Sequence, residues 1–219
     1  MKLVPASLLC SCLVFTPLPA VLFADDFRPP AIPTAGKNAD TFVPRGWKII
    51  KRATGDLNKD KLPDLALALS SAEKSDSYND TWDEPRLLVI LFKEKSGGYR
   101  RATVSSNAIM CRGCGGVFGD PFDELSVTRG TIVIRHYGGS RQRWGFTHRF
   151  RFQNGDWYLI GRTTIEHDTI TREYHELDEN LLTGDTIEKV TTSQGREVEK
   201  KERRAKKPLI RLSAHDVVN

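Results

Sequence analysis

The amino-acid sequence predicts a mainly β protein, an antiparallel meander of hairpins forming a curled sheet or a sandwich. Three observations carry that expectation. Short apolar or alternating runs recur along the chain, each bounded by Gly, Asn, Asp or Pro. Asn154-Gly155 stands between two such runs, and Asn-Gly favours the positive φ angles that a two-residue hairpin turn requires. No run carries the apolar period of a long amphipathic helix, and parallel strands need such crossovers to be joined.

In chain order, residues 47–53 read as a short apolar and basic strand, and residues 65–69 alternate leucine with alanine. Residues 87–92 are continuously apolar, suited to a buried strand. Residues 99–104 follow a Gly97-Gly98 turn. In residues 131–137, Ile132, Ile134 and His136 share one side, with Val133, Arg135 and Tyr137 on the other. Phe146, His148, Phe150 and Phe152 share a face opposite Arg149 and Arg151, and residues 157–160 return after Asn154-Gly155. Near the end, residues 186–192 read as a strand and Gln194-Gly195 as a turn. Residues 196–203 then read either as a charged partner strand or as a solvated helix, because Glu and Lys are good helix formers.

The first residues bear on compartment. Lys2 precedes an apolar run over residues 8–23, broken by Pro17 and Pro19, and no acidic residue occurs before Asp25. That is the signature of a secretory signal peptide ending at Ala24, with Ala20 as the alternative. A membrane span needs ~20 apolar residues without such breaks. Cys12 offers a lipid-anchor reading, opposed by the apolar stretch that continues beyond it. The expected organisation is a signal peptide over 1–24, a flexible Pro- and Ala-rich lead-in over 25–44, and a single β-rich domain over 45–219. The expected location is the periplasm, with secretion or lipid anchoring as alternatives. The net charge is +5, with acidic and basic residues mixed along most of the chain. That distribution implies no nucleic-acid partner.

The sharpest chemical signal lies between two expected strands. Asp56, Asn58, Asp60 and Asp64 place side-chain oxygens at the first, third, fifth and ninth positions of one loop, and the Leu62 carbonyl falls at the seventh. Calcium takes six to eight oxygen ligands from such groups. The twelfth position is Leu67, so the closing glutamate of an EF-hand is missing. The segment resembles the calcium loop of FG-GAP and VCBS-type repeats, Asp-x-Asn-x-Asp-Gly-x-x-Asp joining two strands, and Asp64-Leu65-Ala66-Leu67 fits its ending. The resemblance implies calcium as cofactor. Lys61 stands where the family has glycine, a left-handed position that costs an ordinary residue ~1–2 kcal/mol. Only one copy of the loop occurs, whereas a propeller repeats blades of about 40–50 residues. The stretches 111–122, 136–140 and 156–161 resemble a group of exported bacterial proteins, which implies no activity.

Cys111 and Cys114 are the cysteines that remain beyond the signal segment. Their spacing is that of a thiol redox motif, but Gly115-Gly116 follow at once and no helix start is expected to activate a thiol. A disulfide pinning a glycine-rich loop is the favoured reading in an oxidising compartment, and zinc would need two further ligands. Asp120, His136, Tyr137 and Arg141 form a candidate binding surface around the glycines. Asp120 with Asp123 or Glu124 would supply the carboxylates of a hydrolase. Arg141, Arg143, Arg149 and Arg151 alternate with aromatics, a pattern that binds single-stranded nucleic acid when the rings are exposed. A half-buried strand with aromatics inward is the preferred reading. The basic segment 200–207 is either a solvated face or a contact for anionic lipid or glycan. The expected function is an exported, non-enzymatic binding or envelope-associated protein with a structural calcium-type loop, its partner another envelope or secreted protein. The alternative is an envelope enzyme, either a thiol oxidoreductase using Cys111 and Cys114 or a hydrolase.

Overall fold

A computed structural model describes residues 27–71 and 84–218, so the signal-peptide expectation lies outside the described residues. The chain forms two antiparallel sheets that do not close into a barrel. The five-stranded sheet has the order β1-β5-β4-β3-β2. It contains β1 (Ala35–Gly36), β2 (Trp47–Gly55), β3 (Asp64–Ser71), β4 (Arg86–Lys93) and β5 (Tyr99–Ser105). The seven-stranded sheet is a meander in chain order from β6 to β12. Its strands are β6 (Phe122–Thr128), β7 (Thr131–Gly139), β8 (Gln142–Gln153), β9 (Asp156–Asp168), β10 (Tyr174–Asn180), β11 (Asp185–Thr191) and β12 (Glu197–Arg203).

Strand alternation explains how the sheets pack. Ala66, Ala68, Leu88, Ile90 and Phe92 face the seven-stranded sheet and join Ile132, Ile134, Phe150, Trp157 and Leu159 in one core. The intervening Leu65, Leu67, Leu69, Leu87, Val89 and Leu91 form a second core on the opposite face. β3 and β4 are thus buried on both faces, which is why residues 87–92 are continuously apolar.

From Ile32 onward the lead-in packs against the domain. Ile32, Ala39 and Phe42 cover the outer face of β3 and β4. β1 pairs with β5, and Asn38 caps a single 3-10 turn over Ala39–Phe42 by accepting from the Thr41 amide at 3.1 Å. The irregular spacing of these apolar residues shows no period because they meet a surface made elsewhere in the chain.

Residues 197–203 are a strand, not a helix. In the β11–β12 register, Glu188 faces Lys200 and Lys189 faces Glu199. Such opposite-charge pairs favour the strand, and they exist only once β11 is alongside. Three strands are not foreseen: the two-residue β1 within the lead-in, and β6 and β10, which lack a clear apolar alternation. After β12 the chain folds back as a strap over residues 204–218. Leu159 donates its amide to the Ile210 carbonyl at 2.9 Å, and Leu212, His215 and Val217 are buried. No helix among the described residues is long and apolar enough to cross a membrane.

Candidate functional site

The acidic loop joins β2 to β3. Leu57 is buried and anchors it. Asp64, fully buried, accepts from the Leu57 amide and the Lys93 amide, both at 2.8 Å, through its two oxygens. Asp56 accepts from the amides of Asp60 at 3.1 Å and Lys61 at 3.0 Å. Asp60 accepts from the Leu62 amide at 2.8 Å and from the Asn58 side-chain amide at 2.9 Å. These bonds fold the loop so that one carboxylate oxygen each from Asp56, Asp60 and Asp64 lies within 4.8 Å of the others. The Leu62 carbonyl accepts from the Asp64 amide at 3.1 Å and keeps a second lone pair. Lys61 has a φ of 68°, the left-handed value that the glycine position demands, and Lys59 has a φ of 67°.

Burial pushes the Asp64 carboxyl above its ordinary range, the Lys93 and Leu57 amides pull it down, and the Asp60 charge pushes it up again. A cation among these groups would relieve both the desolvation and the repulsion. The three carboxylates can hold a metal ion. An all-oxygen donor set suits a hard divalent cation.

The second feature is the loop between β5 and β6. Cys111 and Cys114 form a disulfide with Cα atoms 5.3 Å apart. The Gly115 amide donates to the Gly119 carbonyl at 2.7 Å, and the Gly139 amide donates to the Gly115 carbonyl at 2.9 Å. A Cβ at residue 115 would lie 2.6 Å from the Gly119 oxygen, so only glycine permits this closure. Arg86, its side chain almost wholly buried, clamps Asp120 with two bonds of 2.7 and 2.6 Å. Arg112 pairs with buried Glu84 at 3.3 Å. The loop tip points the other way: Val117 is 83% and Phe118 46% exposed. Phe118 meets the edge of Tyr137 at 5.6 Å, and the Arg143 guanidinium lies 4.7 Å from the Phe118 ring centre.

Of Asp120, His136, Tyr137 and Arg141, His136 is buried and on no surface, and Asp120 and Arg141 are each held in an ion pair. Burial alone would raise the Asp120 carboxyl, but Arg86, the Phe122 amide and the Arg112 charge hold it below its ordinary range. His136 is buried on the inner face of β7, where its Nε2 accepts from the Met110 amide at 3.1 Å. Tyr137, next in the strand, faces outward by the two-residue alternation of side chains. Arg141 pairs with Asp168 at 2.9 Å and holds that carboxyl far below its ordinary range. Asp123 and Glu124 both pair with Arg135, at 2.8 and 2.6 Å. The hydrolase carboxylates are therefore each tied to an arginine.

A group not anticipated as a unit is the histidine set on the inner face. His148 and His215 lie edge to face with ring centres 4.6 Å apart, and His215 also meets Phe150 at 5.0 Å. Burial lowers His136 to about 4, His148 to about 3 and His215 to about 4. Alternation along β7 and β8 places the first two inward. Nothing local to His215 reveals that the strap carries it there.

The fold and these features define an open antiparallel β-sandwich with an acidic strand connection and a disulfide-pinned loop. No known family model, curated protein or solved structure matches the chain.

Proposed function

We propose that the protein is an exported, non-enzymatic binding protein, with calcium as a structural ion in the β2–β3 loop and the tip of the disulfide loop as its recognition surface. The observation that carries this reading is the exposed Val117-Phe118 pair on a loop held by a disulfide, glycine contacts and two buried-arm ion pairs. A rigid apolar tip loses little conformational freedom when it docks. Tyr137 and Arg143 beside it are of the residue types that dominate binding energy at interfaces. The partner is another exported protein, offering an apolar pocket with a carboxylate near Arg143. The basic and apolar start of the chain and the disulfide support export. The calcium assignment is supported by the oxygen-only ligand set and the FG-GAP-like spacing. The thiols are joined and the candidate hydrolase carboxylates are paired, which supports binding over catalysis.

The test is a photo-crosslinking residue at position 117, introduced into the protein in cells that make it naturally. A discrete protein adduct is expected, and it should vanish in Phe118→Asp while the melting temperature stays unchanged. No adduct, or one indifferent to Phe118→Asp, would sink the reading.

A further inference from the structure

The far end of the seven-stranded sheet encloses a second site, unconnected with the loop tip. Among the described residues, β10, β11 and β12 contribute nothing to either apolar core. The strap crosses the inner face at Glu179 and Thr186 instead. Register defines that face: His148 lies opposite Arg162, Arg162 opposite Glu179, and Glu179 opposite Thr186. This row continues outward from the buried histidine, on the same side of the sheet. Between the row and the strap lies a cavity of about 520 Å³, within the range typical of small-molecule sites.

The cavity is preformed. Arg204 donates its amide to the Gly184 carbonyl at 2.8 Å, and Ile210 accepts from Leu159 at 2.9 Å, so both ends of the strap are fixed. Gly184 has a φ of 83°, and a Cβ there would lie 2.3 Å from the Arg204 oxygen. The close crossing therefore requires glycine.

The lining has two characters. Leu181, Pro208 and Ile210 make an aliphatic wall without aromatic rings. Arg162, Arg204, Lys206 and Lys207 bring four cations, against the single carboxylate of Glu179. Glu179 is mostly buried and engages Arg162 directly and Arg204 at 3.9 Å. Lys206 and Lys207 have no carboxylate within ion-pair distance among the described residues; Asp185, bonded to Arg203, feels the Lys206 charge only from farther off. Among the lining residues cations exceed carboxylates by three, and Glu202, just outside the lining, reaches Arg204 at 3.9 Å.

We infer that this cavity binds an aliphatic anion, an alkyl chain ending in a carboxylate or phosphate, with the chain against Leu181 and Ile210 and the head group on Lys206, Lys207 and Arg204. Free fatty-acid-type anions and anionic lipids share this chemistry.

Calorimetric titration of the purified protein tests it, with dodecyl phosphate and dodecanoate below micelle formation. Inorganic phosphate removes the chain and dodecyl maltoside removes the charge. Both alkyl anions should bind, and each control should bind at least about tenfold more weakly. Lys206→Glu/Lys207→Glu should weaken the alkyl anions by at least about tenfold with an unchanged melting temperature, since both lysines are exposed. Ile210→Ser provides a second variant that keeps the charge and loses wall. Phosphatidylglycerol vesicles separate the sources: vesicle binding lost in the double variant identifies lipid, and its absence beside alkyl-anion binding identifies a free anion. Equal binding of inorganic phosphate, binding indifferent to the double variant, or vesicle binding without alkyl-anion binding would overturn the assignment.

Discussion

Asp60 shows most directly what the acidic loop asks of a single residue. It is exposed, accepts from Leu62 and Asn58, and brings a third negative charge toward Asp56 and Asp64. A ligand that binds only the native state raises the melting temperature. Calcium should therefore raise it relative to chelator, and Asp60→Ala should abolish the difference, read by thermal unfolding with and without the ion. An equal shift in the variant would place the ion elsewhere. Lys61 carries the opposite lesson. At φ 68° it bears left-handed strain of ~1–2 kcal/mol, partly offset in Lys61→Gly by the greater freedom glycine has when unfolded. Lys61→Gly should stabilise the protein by about 0.5–1 kcal/mol in urea titrations. The ligand positions and the Lys61 anomaly were legible because both are local in sequence. The left-handed Lys59 was not: it belongs to a turn closed by amide bonds to Asp56 and Asn58, which spacing alone does not disclose.

At the scale of elements, the disulfide loop is tied to β4 by Arg86–Asp120 and to the segment just before β4 by Arg112–Glu84, while Cys111–Cys114 closes the loop on itself. The covalent ring spans a sequence separation of only 3 residues. Loop-closure entropy grows with ring size, so removing so short a crosslink costs about 2 kcal/mol or less. Cys111→Ser/Cys114→Ser should lower stability within that bound while the Gly115–Gly119 turn loses amide-exchange protection and partner crosslinking falls. Full loss of folding would show that the ring supports the core and not the tip. Elements with an apolar signature, such as β3, β4 and the β8–β9 hairpin, were legible in the sequence. β10 was hidden because its side chains are only half-buried, with no core beneath it. The fate of residues 197–203 turned on charges carried by β11, which no reading of that segment alone contains.

For the molecule as a whole, the three buried histidines predict a loss of stability in acid, with Asp64, raised above its ordinary range, acting in the opposite direction. Their folded values of about 4, 3 and 4 lie below the ordinary 6.5, with burial as the leading cause. Arg86 and His215 also oppose a proton on His136, and His215, His136 and Arg162 oppose one on His148. A histidine depressed on folding stabilises fully above its unfolded value. That stability is lost as pH falls from 6.5 toward the folded value, because the unfolded chain then binds protons that the folded one excludes. Well inside that window each histidine removes about 1.4 kcal/mol per pH unit. Asp120 and Asp168, held low by arginines, add a further loss only below the ordinary carboxylate range. Stability should therefore be level above pH 7 and fall steeply between pH 6 and 4, as urea midpoints would record. His215→Phe separates this from general acid sensitivity. Phenylalanine can fill the space between His148 and Phe150 without a titrating group, and it also removes a charge that opposes protonation of His148. The slope should fall by roughly a third, with stability at pH 7 nearly unchanged. An unaltered slope would mean that the strap leaves the sheet before its histidine titrates, and that the acid response lies in His136 and His148 alone.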